Sequence, residues 1–217
     1  MKKIGFLFDM DGVIVDTNPT HKIALRQFCR THGHDLSEEE LRDKIYGRTN
    51  KDWIPAVFGK ISPEQIKAYA DEKEALFRKL YLNKIEPMTG LISFLEKLKR
   101  DGLACAIATS APRENVDFVL EHTGIAKYFS TILDESFVDV GKPDPEIYLK
   151  TAAALGYAPK DCLVIEDSIS GVKSGKAAGC KVLGITTTHT PEELSETDLS
   201  VQNFVGLDPQ TLISSLF

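Results

Sequence analysis

Short apolar runs alternate with stretches of helical periodicity along most of this chain, and that alternation limits the fold more than any other feature. IGFLF at 4–8, LACAIA at 103–108, CLVI at 162–165 and KVLGI at 181–185 read as buried strands, with STIL at 130–133 and NFV at 203–205 as weaker candidates. Between them, residues 89–100, 112–122, 144–156 and 168–178 carry helical spacing. Strands that alternate with helices predict an α/β fold with a mostly parallel sheet covered on both faces. Chemistry at the boundaries agrees. Asp144-Pro145 is an N-cap followed by proline at the first helical position, and Gly124 closes the helix at 112–122.

One connection does not fit the alternation. After Asp16 the chain runs roughly 70 residues without a convincing strand, where a crossover needs only about 10–12. Helical stripes at 19–32, 37–45 and 62–82 fill it, separated by turns containing glycine or proline. The expected division is a core of 1–16 and 88–217 carrying a helical insert at 17–87. Residues 18–87 hold 13 basic and 11 acidic side chains, so the remainder holds 13 and 21. A basic insert beside an acidic core suits an anionic substrate, although a chance split of charge gives the same numbers.

At 217 residues the chain can bury a core that needs no staples. Its four cysteines, Cys29, Cys105, Cys162 and Cys180, lack C-x-x-C spacing and read as small buried residues in a reducing compartment. A net charge of −6 argues against non-specific nucleic-acid binding, which depends on Lys and Arg contacts to phosphate. The five uncharged residues ahead of Asp9 are too few for a signal-peptide core or a membrane span. These features predict a cytoplasmic protein with no membrane, nucleic-acid or evident obligate protein partner.

The strongest local feature is FLFDMDGVIVDT, an apolar strand that ends in Asp9, Asp11 and Gly12. In an open α/β sheet the ligand crevice lies beyond the carboxyl ends of the strands. Strand alternation puts Asp9 and Asp11 on one side, and Gly12 permits a sharp turn. An Asx-rich turn accounts for D-x-D-G equally well. A calcium loop does not, because Val13 stands where an acid or amide is required. Three more segments sit at strand ends: the hydroxyls of Thr109 and Ser110, Lys142 in GKPDPE, and Glu166 with Asp167 in VIEDS. Each alone has an ordinary structural explanation, but all four share one edge of the sheet. Converging carboxylates repel one another, so a hard divalent cation is expected there, Mg²⁺ above all.

The set D-M-D-G-V, T-S, K-P and E-D, in this order, resembles the haloacid dehalogenase superfamily, in particular its phosphatase and β-phosphoglucomutase branch. The likeness spans nearly the whole chain and implies a Rossmann-like core with an inserted helical cap domain. It implies Asp9 as the nucleophile that forms an aspartyl-phosphate and Asp11 as the general acid and base. Thr109 and Lys142 would bind the transferring phosphoryl group, with Ser110 beside them. Mg²⁺ would sit on the Asp9 carboxylate, the Asp11 carbonyl and Asp167, with Glu166 adjacent or contributing.

Two residues of the insert are further candidates for substrate binding. His21 begins the stripe Ala24, Leu25, Phe28, Cys29, His32, so it reads first as a satisfied core histidine. The resemblance adds a histidine at this spacing in D-T-x-x-x-H. Lys73 lies in the middle of the stripe Ile66, Tyr69, Ala70, Leu76, Phe77, Leu80, where it must snorkel, pair with an acid or open into a cleft. The cleft is the expectation, since cap lysines of this branch reach substrate. Two departures bear on the reaction. The mutase pattern K-G-V-S-R is replaced by Tyr46-Gly47-Arg48-Thr49-Asn50, and S-x-S-K-N by Thr109-Ser110-Ala111-Pro112-Arg113. Arg48 and Arg113 are the remaining candidates for holding a second phosphate. The reading is a Mg²⁺-dependent phosphohydrolase of a small phosphorylated metabolite, with a β-phosphoglucomutase as the alternative enzyme and a non-catalytic phospho-ligand sensor as the alternative of another class.

Overall fold

The computed structural model describes residues 3–45 and 48–217, so Tyr46 and Gly47 of the cap-loop motif lie outside the described residues. In chain order the elements are β1 (Gly5–Phe8), α1 (Asn18–Thr31), α2 (Glu38–Lys44), α3 (Asn50–Phe58), α4 (Pro63–Tyr81), α5 (Leu91–Arg100), β2 (Ala104–Ala108), α6 (Arg113–Thr123), β3 (Thr131–Leu133), α7 (Glu146–Leu155), β4 (Cys162–Glu166), α8 (Ile169–Ala177), β5 (Lys181–Ile185), β6 (Leu199–Val201) and α9 (Pro209–Leu216). They form two compact units, 1–16 with 85–217 and 17–84. The second unit ends at Lys84, three residues short of the boundary read from the sequence. Among the described residues no helix is long and apolar enough to cross a membrane.

The first unit is a six-stranded sheet in the order β3-β2-β1-β4-β5-β6, and every neighbouring pair is parallel. The chain builds outward from β1 to β3, then crosses back and builds outward again from β4. Such a reversal leaves a crevice at the carboxyl ends of the strands on either side of it, here β1 and β4. Register fixes those ends level. Phe8 pairs with Ile107 on one side and Ile165 on the other, and the Asp9 amide donates to the Ile165 carbonyl at 3.0 Å.

Both faces of β1 are buried, as expected for the centre of a parallel sheet. Phe6 and Phe8 meet Phe94, Phe129 and Phe204 at centroid distances of 5.6–6.4 Å. Leu7 points the other way, into a cluster with Tyr148, Ile147, Val164 and Val182. The weak strand read at 203–205 is not one. The last strand lies at Leu199–Val201, anchored where Asp198 donates its amide to Val182 and Thr186 donates to Val201. Asn203 to Val205 is a turn that carries Phe204 into the aromatic cluster.

Helix α7 starts at Glu146, two residues after Asp144, whose carboxylate accepts from the Glu146 amide at 3.0 Å. Val15 bridges to Pro87 and Ile14 accepts from the Met88 amide, so the exit and return of the chain are tied together within this unit.

The second unit is helical. Ser37 and Glu40 form a reciprocal capping box at α2, and the Ser62 hydroxyl accepts from Gln65 at the start of α4. Its core gathers Leu25, Phe28, Leu41, Trp53 and Ile54, with Phe28 in edge-on contact with Trp53, Phe58 and Tyr69. Helix α3 was not legible because it is short and contains Pro55.

Phe204→Ala should cost about 3–5 kcal/mol, the usual loss for deleting a buried phenyl ring. Urea unfolding would read this directly, and a loss under about 1 kcal/mol would contradict the core role given to the 203–205 turn.

Candidate active site

Four strand ends build the site. After β1, the amides of Val13, Ile14 and Val15 fold back on the Met10 carbonyl, and Gly12 adopts φ 78°, a left-handed conformation that favours glycine. This turn leaves Asp9 buried and Asp11 partly exposed at the rim. The two carboxylates lie close enough that Asp11 adds to the forces disfavouring charge on Asp9 and on Asp167. After β2, Thr109 is buried and its Oγ1 accepts from the Ala111 amide at 3.1 Å, while Ser110 is exposed beside it. A hydroxyl that accepts in this way keeps its own proton to donate.

Lys142 occupies the centre. It follows a loop with a cis Lys142–Pro143 bond, and its buried ammonium donates to Asp9 Oδ1 at 2.6 Å, Glu166 Oε1 at 2.7 Å and the Ala108 carbonyl at 3.3 Å. Those three bonds use all three ammonium protons. Burial alone would lower the lysine, but Asp9 and Glu166 outweigh it and hold the group cationic. Burial pushes Asp9 well above the usual carboxylate range, against the pull of Lys142 and with a further push from Glu166 and Asp167. Asp167 is raised to about 7, by burial first and then by the Glu166 charge. Glu166 moves down, because Lys142 and a set of hydrogen bonds overcome its burial.

Asp9, Glu166 and Asp167 have carboxylate oxygens within 4.8 Å of one another, a donor set that fits a hard divalent cation. The three are not equivalent. Glu166 Oε1 accepts from Lys142 and from the Tyr148 hydroxyl at 2.8 Å. Its Oε2 accepts from the Asp167 and Ser168 amides and the Ser168 hydroxyl, each at 3.0 Å. Five donors crowd a carboxylate with about four lone-pair directions, so Glu166 holds Lys142 while its oxygens stay within reach of the same cation site as those of Asp9 and Asp167. Asp167 is fixed from its far side, where Oδ2 accepts from the Thr188 hydroxyl and the main-chain carbonyl contacts His189 Nδ1 at 3.0 Å.

Glu166 fits against the first turn of α8 only because position 171 is glycine. A Cβ at Gly171 would stand 1.7 Å from Glu166 Oε1, closer than any repacking tolerates. Tyr148, Thr188, His189 and Gly171 were all missed from the sequence. The T-T-T-H-T run after β5 carried a usable signal, since it leaves the same edge of the sheet as the other four segments. Tyr148 was hidden as one more apolar position of a helix.

The remaining candidates have the following partners within their own units. Arg113 pairs with Asp117 at 2.8 Å, and its other arm is 3.9 Å from buried Asp134. Arg48 is exposed and donates to the Asp43 carbonyl at 2.8 Å. His21 and Lys73 come together inside the helical unit. Lys73 is buried and pairs with Glu74 at 2.7 Å. It also meets His21 Nδ1 at 3.2 Å, and the imidazole stacks on Phe77 at 3.7 Å. Beside a cationic lysine Nδ1 is an acceptor, which places the imidazole proton on Nε2. Asn50 joins this network by donating to Glu74 at 3.0 Å and accepting from the Trp53 indole at 2.9 Å.

A model of the family described as haloacid dehalogenase-like hydrolase matches residues 6–185 of the chain. The chain is 33% identical over 191 residues to the bifunctional riboflavin kinase/FMN phosphatase of Arabidopsis thaliana, a match that covers 85% of this chain and 49% of that longer protein. It is 33% identical to hexitol phosphatase A of Escherichia coli, over 92% of this chain and 90% of the relative. Among solved structures, a HAD hydrolase of family IA, variant 3, from Entamoeba histolytica has a TM-score of 0.90 at 32% identity, covering 100% of this chain and 99% of that one.

The His21 network should contribute acid lability in a defined window. Burial, then Lys73, lowers His21 from 6.5 to about 3, while Lys73 overcomes burial to take Glu74 from 4.5 to about 2. On acidification the unfolded chain takes up both protons before the folded one does. The contribution of this network to stability should therefore fall from pH 6.5 downward through His21, with Glu74 adding to the loss below 4.5, while the raised Asp9 and Asp167 act in the opposite sense. His21→Gln should lose less stability than wild type between pH 7 and pH 5 in urea titrations, and equal losses would remove the assignment.

Proposed function

Because the chain belongs to the haloacid dehalogenase-like hydrolase family, we propose that it is a Mg²⁺-dependent phosphatase of a small phosphorylated metabolite, acting through an aspartyl-phosphate on Asp9. The observation that carries this reading is the Lys142 ammonium bridging Asp9 and Glu166 beside Asp167. A carboxylate is a weak nucleophile toward a phosphate dianion, so attack depends on cationic groups that cancel the repulsion. Lys142 supplies one such charge in a site where water is scarce.

The steps balance on this chain's own groups. Asp9 attacks phosphorus as the ester P–O bond breaks, and Asp11 gives its proton to the leaving oxygen. Asp11, now a carboxylate, takes a proton from water as that water attacks the phosphoaspartate, releasing phosphate and restoring Asp9. Thr109 donates its hydroxyl proton to a phosphoryl oxygen. Mg²⁺ held by the Asp9 and Asp167 carboxylates and the Asp11 carbonyl would supply further neutralisation of phosphoryl charge. A sugar or polyol phosphate is the substrate class in view, in keeping with the hexitol phosphatase relative.

Hydrolysis is favoured over phosphoryl transfer between two positions of a sugar. A mutase must grip a second phosphate, and both arginines left for that task are already engaged, Arg48 by a carbonyl and Arg113 by Asp117. Losing one charge-assisted phosphate contact typically weakens binding by about 10- to 100-fold.

Asp9→Asn should lower turnover of a phosphate ester by several orders of magnitude in a protein that still folds, and chelation of divalent ions should abolish wild-type turnover until Mg²⁺ is restored. Near-normal activity in either experiment refutes the mechanism. β-Glucose 1-phosphate with a trace of glucose 1,6-bisphosphate should yield inorganic phosphate or nothing, and accumulation of glucose 6-phosphate ahead of phosphate would instead make the enzyme a mutase.

A further inference from the structure

Tyr148 touches both halves of the buried ion pair at the centre of the site. It is fully buried on α7, its hydroxyl donates to Glu166 Oε1 at 2.8 Å, and its ring lies under the Lys142 ammonium at 4.9 Å from the centroid. A buried phenol ordinarily finds a partner for its hydroxyl. This partner is unusual because the same carboxylate oxygen also receives Lys142.

The consequence follows from competition. Lys142 stands between two carboxylates at nearly equal distances, 2.6 Å from Asp9 and 2.7 Å from Glu166. Where the ammonium settles depends on how well each acceptor is otherwise satisfied. Glu166 Oε2 is occupied by Asp167 and Ser168, so only Oε1 has adjustable capacity, and Tyr148 takes half of it. Without the hydroxyl, Oε1 would have Lys142 as its one donor and would draw the ammonium away from Asp9. The ring limits the same movement from below, through the attraction of a cation to an aromatic face.

We propose that Tyr148 is a positioning residue for phosphoryl transfer, using its hydroxyl to balance Glu166 and its ring to floor Lys142, so that the ammonium stays shared with Asp9. The inference rests on the phosphatase reading. It assigns no contact between Tyr148 and substrate, and it expects the loss to fall on turnover rather than on substrate affinity.

Tyr148→Phe removes the hydroxyl and keeps the ring. It should lower kcat by about 10-fold or more, the scale of a hydrogen bond to a charged group, with KM changed less than about 2-fold. Mg²⁺ affinity by calorimetric titration should stay within about 2-fold, since Tyr148→Phe leaves the Asp9 and Asp167 carboxylates and the contacts of Glu166 Oε2 in place. Glu166→Gln combined with Tyr148→Phe should be little worse than Glu166→Gln alone, because the two act through one path. Phe204→Leu, matched for thermal stability, should keep its kcat and so separates positioning from general softening of the core. A readout independent of turnover is hydrogen exchange of the Lys142 ammonium in ¹⁵N-lysine-labelled protein, which Tyr148→Phe should accelerate. An unchanged kcat in Tyr148→Phe, or a kcat loss equal to that of Phe204→Leu, overturns the inference. A wild-type protein that turns over no phosphate ester overturns the phosphatase reading instead, and faster ammonium exchange in the variant would then still support the positioning of Lys142.

Discussion

Everything at the carboxyl edge of the sheet depends on one ammonium placed among carboxylates. Lys142 joins the ends of β1, β2 and β4 by bonding Asp9, the Ala108 carbonyl and Glu166. A buried ion pair adds little net stability over an apolar substitute, yet removal of one partner typically costs about 3–5 kcal/mol because the other charge is stranded. The same interaction therefore locks three strand ends into register and sets the protonation of the groups between them. Structure and chemistry here share a single contact, which leaves the fold no freedom to relax around an altered site.

The sheet order explains why those ends meet. Reversal of the build direction at β1 places β2 and β4 on either side of it, so residues far apart in sequence emerge at one edge. Placing Glu166 against the start of α8 adds a second constraint. Its carboxylate collects two amides at the helix N-terminus, a location that stabilises negative charge. The close approach is possible only at Gly171. The backbone thus supplies what a second cation would otherwise have to supply, and Lys142 is left to serve Asp9 as well.

How far these features were legible depended on whether the signal was local. Strand cores are short apolar runs, and acids or hydroxyls directly after them stand out, so Asp9, Asp11, Thr109, Lys142, Glu166 and Asp167 could be read as one edge. The crowding of Glu166 was harder to read, because it involves Tyr148 on α7 as well as its sequence neighbour Ser168. Strand β6 has a polar centre at Ser200, whereas Asn203-Phe204-Val205 has the composition of a strand and the structure of a turn. Helix α9 opens with Asp208-Pro209, the same signal that marked Asp144-Pro145, and its Asp208 carboxylate accepts from Thr211. That element was readable and was not read.

Two buried lysines of this chain differ in how the charge around them is balanced. Lys73 and Lys142 are both buried and both bond a glutamate, and each has a second neighbour within hydrogen-bond reach. Around Lys73 the count is one carboxylate, one ammonium and a histidine held neutral by its surroundings, so charge balances. Around Lys142 the count is Asp9, Glu166, Asp167 and Asp11 against a single ammonium. Burial raises Asp9 and Asp167 first and this surplus raises them further, and the surplus is relieved only by protons or by cations. Burial of a lysine is therefore a poor marker of chemistry by itself. An excess of buried carboxylate at the end of a parallel strand, with a lysine too few to cancel it, is the feature that makes this edge of the sheet reactive.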